Sequence, residues 1–138
     1  KTISVGNETC QIYCDGDLNI ILVGTNTLES TSTYGIYVEG HLTISGTGTI
    51  NISNAQQGVY VRKNITIKSG NIVANSIQSI GGSIAFENGY AELTGGMIAD
   101  NGQIAITTGE ISAEYISANQ IDVADGTINA DFKRAECA

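Results

Sequence analysis

Apolar and polar residues alternate along this chain in a unit that is written six times. Each unit holds an apolar residue, any residue, an apolar residue, a short polar turn, and then a second alternating triplet. It reads QIYC DGD LNI from Gln11, GIYV EGH LTI from Gly35 and GVYV RKN ITI from Gly58, then SIAF ENGY AEL from Ser83, QIAI TTGE ISA from Gln103 and QIDV ADGT INA from Gln120. Alternation with a period of two predicts strands, and inserts holding Gly, Asn or Asp predict turns. The leading apolar positions Ile12, Ile36, Val59, Ile84, Ile104 and Ile121 recur after 24, 23, 25, 20 and 17 residues. A unit of that length cannot enclose a core alone. The units must stack, and the expected fold is an all-β parallel β-solenoid of about six coils.

Set in register, the leading positions form one inward file, and Cys14, Val38, Val61, Phe86, Ile106 and Val123 form a second. In the following strand the inward files read Leu18, Leu42, Ile65, Ala91, Ile111, Ile128 and Ile20, Ile44, Ile67, Leu93, Ala113, Ala130. Between them Asn19, Thr43, Thr66, Glu92, Ser112 and Asn129 point outward, all polar, as a strand with one wet face requires. Ile50 and Ile52, Ile72 and Ala74, and Met97 are candidates for a less regular third strand. Uneven coils of three strands predict a right-handed β-helix over the uniform left-handed kind. The first three turns take three residues and the last three take four, and the core shrinks towards Ala, so the rod is expected to narrow at its C-terminal end. At the usual inter-strand spacing, six coils make a rod ~29 Å long. The chain reads as one domain over 1–138, with an N-terminal end segment over 1–10 that includes a strand candidate at Thr2 to Val5, repeats over 11–130 and a C-terminal end segment over 131–138.

Composition narrows the function. No run of 18 apolar residues occurs, so membrane insertion is not expected. Six basic against fourteen acidic side chains give a net charge of -8, which disfavours nucleic acid, whose phosphates call for clustered Lys and Arg. Seventeen glycines and no proline suit closely turning, continuously paired backbone. Lys1 opens no secretory signal, and the chain reads as the mature form of a secreted or cell-surface protein. Glycosylation-type sequons stand at Asn7, Asn51 and Asn64.

Several constellations invite chemistry. Tyr13, Tyr37 and Tyr60 fall on one outward file of three consecutive coils, a row of rings on which a sugar chain or a partner protein can stack, or which stabilises the strands themselves. Asp15 and Asp17 flank Gly16 one coil below Glu39, a set of oxygen ligands that a calcium ion could use, although Asp also serves turns for its own sake. Glu39, Arg62 and Glu87 read as a charge ladder on one turn file. The threonines do not form the unbroken array that ice binding would need, because Asn19 and Glu92 interrupt it. His41 has no nucleophile beside it in the register, and the outward files mix Asn, Thr, Ser, Ala and Tyr rather than converging acids. No catalytic residues are assigned and no enzyme is expected.

Where GIYVEGHLTISGTGTINIS is followed by GVYVRKNITIKSGNIVANS, the chain resembles the glycine-rich right-handed β-helix repeats of secreted clostridial-type surface proteins described as carbohydrate-binding domain-containing. The resemblance covers roughly residues 11 to 75, and the later coils share only the pattern. It implies an extracellular β-helix shaped like a polysaccharide lyase but without lyase activity. Members of that family coordinate calcium through grouped acidic side chains, and no such group matches here residue by residue.

The two ends complete the reading. A solenoid exposes unpaired strand edges at its ends, and no cap is obvious in the end segments. Cys10 and Cys14 lie at the first coil and Cys137 beside the last residue. They are candidates for an inter-subunit disulfide, with Cys10 the expected exposed partner because Cys14 falls in an inward file; a Cys10 to Cys14 bridge is the alternative. Two functions follow. One is a non-enzymatic extracellular structural protein whose subunits stack head to tail into a filament, its partner being itself. The other is a secreted or cell-surface module that binds polysaccharide through the tyrosine file.

Overall fold

The alternation winds the chain into a parallel β-solenoid with three faces, and the computed structural model describes residues 3–5, 10–29, 33–133 and 136–137, with side chains for 10–29 and 33–132. A leading strand β1 (Ile3–Val5) precedes the first coil, β2 (Cys10–Cys14), β3 (Leu18–Leu22) and β4 (Thr25–Glu29). The second coil is β5 (Tyr34–Val38), β6 (Leu42–Gly46) and β7 (Thr49–Ser53), and the third is β8 (Gln57–Val61), β9 (Ile65–Ile67) and β10 (Asn71–Ala74). The fourth is β11 (Ile77–Ser79), β12 (Ile84–Phe86) and β13 (Tyr90–Leu93), followed by β14 (Gly96–Ala99) and β15 (Gln103–Ile106). From there the corner between third and first faces straightens. The long strands β16 (Glu110–Ser117) and β18 (Thr127–Lys133) each run from the third face onto the first, with β17 (Gln120–Val123) between them and β19 (Glu136–Cys137) last. Six coils are complete and a seventh begins. The described residues contain no helix, and hence none long and apolar enough to cross a membrane.

Every pairing between coils is parallel, and each strand of the second, third and fourth coils buries at least two inward residues against the coils above and below. Ile36, Val38, Leu42, Ile65, Ile67 and Phe86 are all fully enclosed. Burial of each such side chain contributes about 1.5–3 kcal/mol, which stacking supplies and a lone coil cannot.

The predicted register holds through the third coil and then slips by one face. Ile77, not Ile84, lies over Val59, and Met97 and Ile116 continue that file. Ile84, Ile104 and Ile121 instead continue Leu18, Leu42 and Ile65 on the second face. Ala91, Ile111 and Ile128 continue Ile50 and Ile72 on the third, and Met97 belongs to the first. The cause is one buried serine. The first strand of the fourth coil is Ile77-Gln78-Ser79, and Ser79 occupies an inward place at 0% exposure. Its hydroxyl donates to the Lys63 carbonyl and accepts from the Gly82 N–H, so the core tolerates it. An apolar template passes over that strand and takes the next one for it. Read along Ile12, Ile36, Val59, Ile77, Met97, Ile116 and Phe132, the coils are 24, 23, 18, 20, 19 and 16 residues long. The coils shorten, yet the second-face core stays large, from Leu18 to Ile121, instead of dwindling to Ala. The four-residue inserts are likewise corners between second and third faces, where Gly46, Gly70, Gly89, Gly109 and Gly126 all have φ between 100° and 112°.

The ends also differ from expectation. β1 pairs antiparallel on β2, Ile3 opposite Cys14 and Val5 opposite Ile12, so the Thr2 to Val5 candidate is a strand over Ile3–Val5 that covers the first-face edge. Cys10 is not exposed. Both ends of the five-residue β2 turn inward, leaving Cys10 at 3% and Cys14 at 0% exposure, both as thiols rather than bridged to one another. Cys137 pairs beside Ile121 at the opposite end of the stack. Its side chain lies outside the described residues, as does Asn7.

Candidate functional site

The outward positions of the first face place Tyr13, Tyr37 and Tyr60 in direct register on three successive coils. Their ring centroids are 5.6 and 5.2 Å apart, each pair tilted by 40°. Gln78 and then Ile98 follow in the same file. The sequence pattern assigns these three tyrosines to one row but misses a fourth. Gly35 and Ile36 are both buried, which breaks the alternation and turns Tyr34 and Tyr37 to the same side. Only glycine fits there, since a Cβ on Gly35 would lie 2.4 Å from the Ile52 side chain and 2.6 Å from the Gly58 carbonyl oxygen. Tyr34 then meets Tyr37 edge-on at 4.9 Å and Tyr60 at 4.7 Å. The signal lay in the matched segments YGIYV and QGVYV, whose residue before glycine is also outward.

Charge at one edge of the row orients the hydroxyls. Tyr13 donates to Glu39 Oε1 at 3.2 Å, Arg62 Nη1 donates to the Tyr37 hydroxyl at 3.4 Å, and Arg62 Nε lies 3.8 Å from Glu39. Desolvation, and then the Glu39 carboxylate, push the Tyr13 hydroxyl above its ordinary pKa. Desolvation and the neighbouring Tyr34 and Tyr37 do the same for Tyr60. The predicted charge ladder is thus confined to Glu39 and Arg62. Glu87 sits at a different corner, its N–H donating to the Ile67 carbonyl.

The corner between first and second faces is stitched by side chains. Asp17 Oδ1 accepts from the His41 N–H at 2.8 Å, His41 Nδ1 from the Asn64 N–H at 3.1 Å, Asn64 Oδ1 from the Ser83 N–H at 2.9 Å and Ser83 Oγ from the Gln103 N–H at 3.0 Å. His41 Nδ1 therefore serves here as an acceptor within a structural ladder. Asp15, Asp17 and Glu39 do not gather into a cation site, and among the described residues no cluster of three His, Cys, Asp or Glu side chains could hold a metal.

Beside the tyrosine row, where the third face turns into the first, a cleft of ≈ 390 Å³ is lined by Gln57, Asn75, Gln78, Gly95, Gly96 and Tyr115, among others. Asn75 Nδ2 donates to the carbonyls of Ala55 and Gln56 at 3.1 and 2.6 Å, and Gln78 Nε2 to Asp100 Oδ2 at 2.7 Å. None of these cleft residues is marked by the repeat pattern, because they lie at a corner where alternation stops.

Tilted rings flanked by carboxamides make a surface for a ligand with apolar faces and hydroxyl-bearing edges. No curated protein and no solved structure shows significant similarity to the chain. Residues 2–136 match one family model, and the chain belongs to the carbohydrate-binding domain-containing protein family.

Proposed function

We propose that the chain is a non-catalytic, extracellular polysaccharide-binding module whose platform is the tyrosine row. The observation that carries this is the cluster of Tyr13, Tyr34, Tyr37 and Tyr60, four rings with neighbouring centroids 4.7 to 5.6 Å apart on one outward face. Sugar rings present C–H faces to such a row and hydroxyls to its polar edge, and family membership points the same way. A head-to-tail filament draws no comparable support. β1 occupies the first-face edge that an incoming parallel strand would need, and Cys10 and Cys14 are buried.

Pull-down and calorimetry with a panel of insoluble and soluble polysaccharides test the proposal. At least one polysaccharide should bind, and Tyr37→Ala, at the centre of the row, should weaken it by about tenfold, the equivalent of one aromatic contact. Unchanged binding by a folded Tyr37→Ala protein would reject the row as the platform. Detection of the protein in the culture medium or on intact cells tests its location.

A further inference from the structure

We infer that the glycan path runs along the solenoid axis, from the tyrosine row through the corner cleft to Tyr115, and that it accepts uncharged sugar units in preference to uronates. This rests on the proposed function and says where the ligand lies and what it carries.

The path is continuous in register. Gln78 follows Tyr60 in the outward file and lines the cleft, and Gln57, paired with Tyr34, lines it from the other side. The floor is backbone, because Gly95 and Gly96 have no side chains to fill it. A Cβ on Gly96 would lie 2.5 Å from the Tyr115 ring, so glycine at that place lets a half-buried aromatic lie against the strand as the end wall. Tyr13 belongs to the first coil and Tyr115 to the sixth, a separation of five strand spacings or ~24 Å.

The lining is rich in carboxamides. Gln57 Oε1 and Asn75 Oδ1 are buried and accept no hydrogen bond. Asn75 Nδ2 is fixed by two carbonyls, which turns Oδ1 towards Gly58. Gln56, Gln57, Asn75 and Gln78 line the cleft with carboxamides, which a sugar hydroxyl meets as donor or acceptor, whereas a carboxylate can only accept. Charge argues in the same direction. The cleft lining includes no Lys or Arg, the Asp100 carboxylate stands behind Gln78, and Arg62 at the tyrosine row is already matched by Glu39. A chain with a net charge of -8 repels a polyuronate unless cations are placed to receive it.

Calorimetry with cello-, manno- and xylo-oligosaccharides of increasing length, against oligomers of galacturonic acid of matched length, tests both parts at low salt. Affinity for at least one neutral series should rise with length until the ligand spans ~24 Å, with the galacturonate oligomers at least about tenfold weaker. Tyr115→Ala and, separately, Gln57→Ala should each remove about tenfold from the longest neutral ligand while sparing the shortest, whereas Tyr37→Ala weakens all lengths. Galacturonate oligomers binding as tightly as neutral ones would overturn the charge preference. Long ligands indifferent to both cleft variants would overturn the axial path. If neither class binds, the proposed function falls with the inference.

Discussion

The ring of Tyr34 lies 4.7 Å from that of Tyr60, one coil further along the stack, and meets Tyr37 edge-on at 4.9 Å. Tyr34 therefore wedges between two members of the outward row and fixes their tilt. Each such pair contributes about 0.5–1.5 kcal/mol beyond area burial, so Tyr34→Ala should lower unfolding free energy by about 1–2 kcal/mol in urea. Tyr34→Phe keeps the ring and should recover most of it. A Tyr34→Ala protein as stable as the parent would mean that the ring contacts are incidental.

Tyr13, Tyr60 and Tyr90 all ionise above the ordinary tyrosine value of 10.0, with desolvation the first cause in each. For Tyr90 the carboxylates of Glu92 and Glu110 add to it. A raised folded-state pKa gives stability that is complete below the unfolded value and lost as pH climbs through the folded one. Melting temperature should accordingly begin to fall above the ordinary tyrosine value of 10.0, in step with tyrosinate absorbance at long ultraviolet wavelength. Thermal stability that stays level while the tyrosinate signal develops would contradict this.

Gly89 turns the corner of the fourth coil at φ 112°, and a Cβ there would stand 2.5 Å from the Gly70 carbonyl oxygen. Gly24 also has positive φ, at 67°, but open space around it. Replacement by alanine should cost on the order of 3 kcal/mol at Gly89, where strain and backbone overlap add, and about 1 kcal/mol at Gly24, where only the dihedral is strained. Equal losses at the two sites would show that stacking geometry is not what selects glycine at these corners.

Cys10 and Cys14 are buried on the first strand, and desolvation raises the Cys10 thiol pKa. Both should resist a thiol reagent in the native protein at neutral pH, so at least two of the three thiols should react only on unfolding. Native reaction of all three, or a disulfide-linked ladder on non-reducing electrophoresis, would reinstate the cross-linked reading.

The fold class was legible because the apolar alternation of the first three coils is nearly perfect, from Ile12 and Cys14 to Ile65 and Ile67. It ceased to be legible in register at Ser79, where hydrogen bonds replace apolarity as the reason for burial. Half of the tyrosine platform's logic was likewise visible. Tyr13, Tyr37 and Tyr60 follow from period-two alternation, while Tyr34 depends on a glycine whose backbone is crowded by a neighbouring coil. The cleft residues Gln57, Asn75 and Tyr115 come from three coils and meet only once the stack is closed. Periodicity reports what a strand does and is silent at corners, which is where this protein gathers its carboxamides.

The ladder at the opposite corner tests how coil stacking is held in register. Asn64 sits in its middle, receiving Ser83 N–H on Oδ1 at 2.9 Å and giving its own N–H to His41 Nδ1 at 3.1 Å. Asn64→Ala removes the first bond and keeps the second, because a backbone group makes it. The site is exposed, so water replaces part of what is lost, and the expected destabilisation is about 1 kcal/mol, comparable with loss of a helix cap. Asn64→Asp retains an acceptor oxygen and should stay within a few tenths of a kcal/mol of the parent. His41→Ala acts on the adjacent rung, and its effect should not simply add to that of Asn64→Ala, since residues in one hydrogen-bond network couple. Urea denaturation of the two single variants and the double variant measures that coupling. Strict additivity would show that the rungs are independent caps and not a continuous ladder.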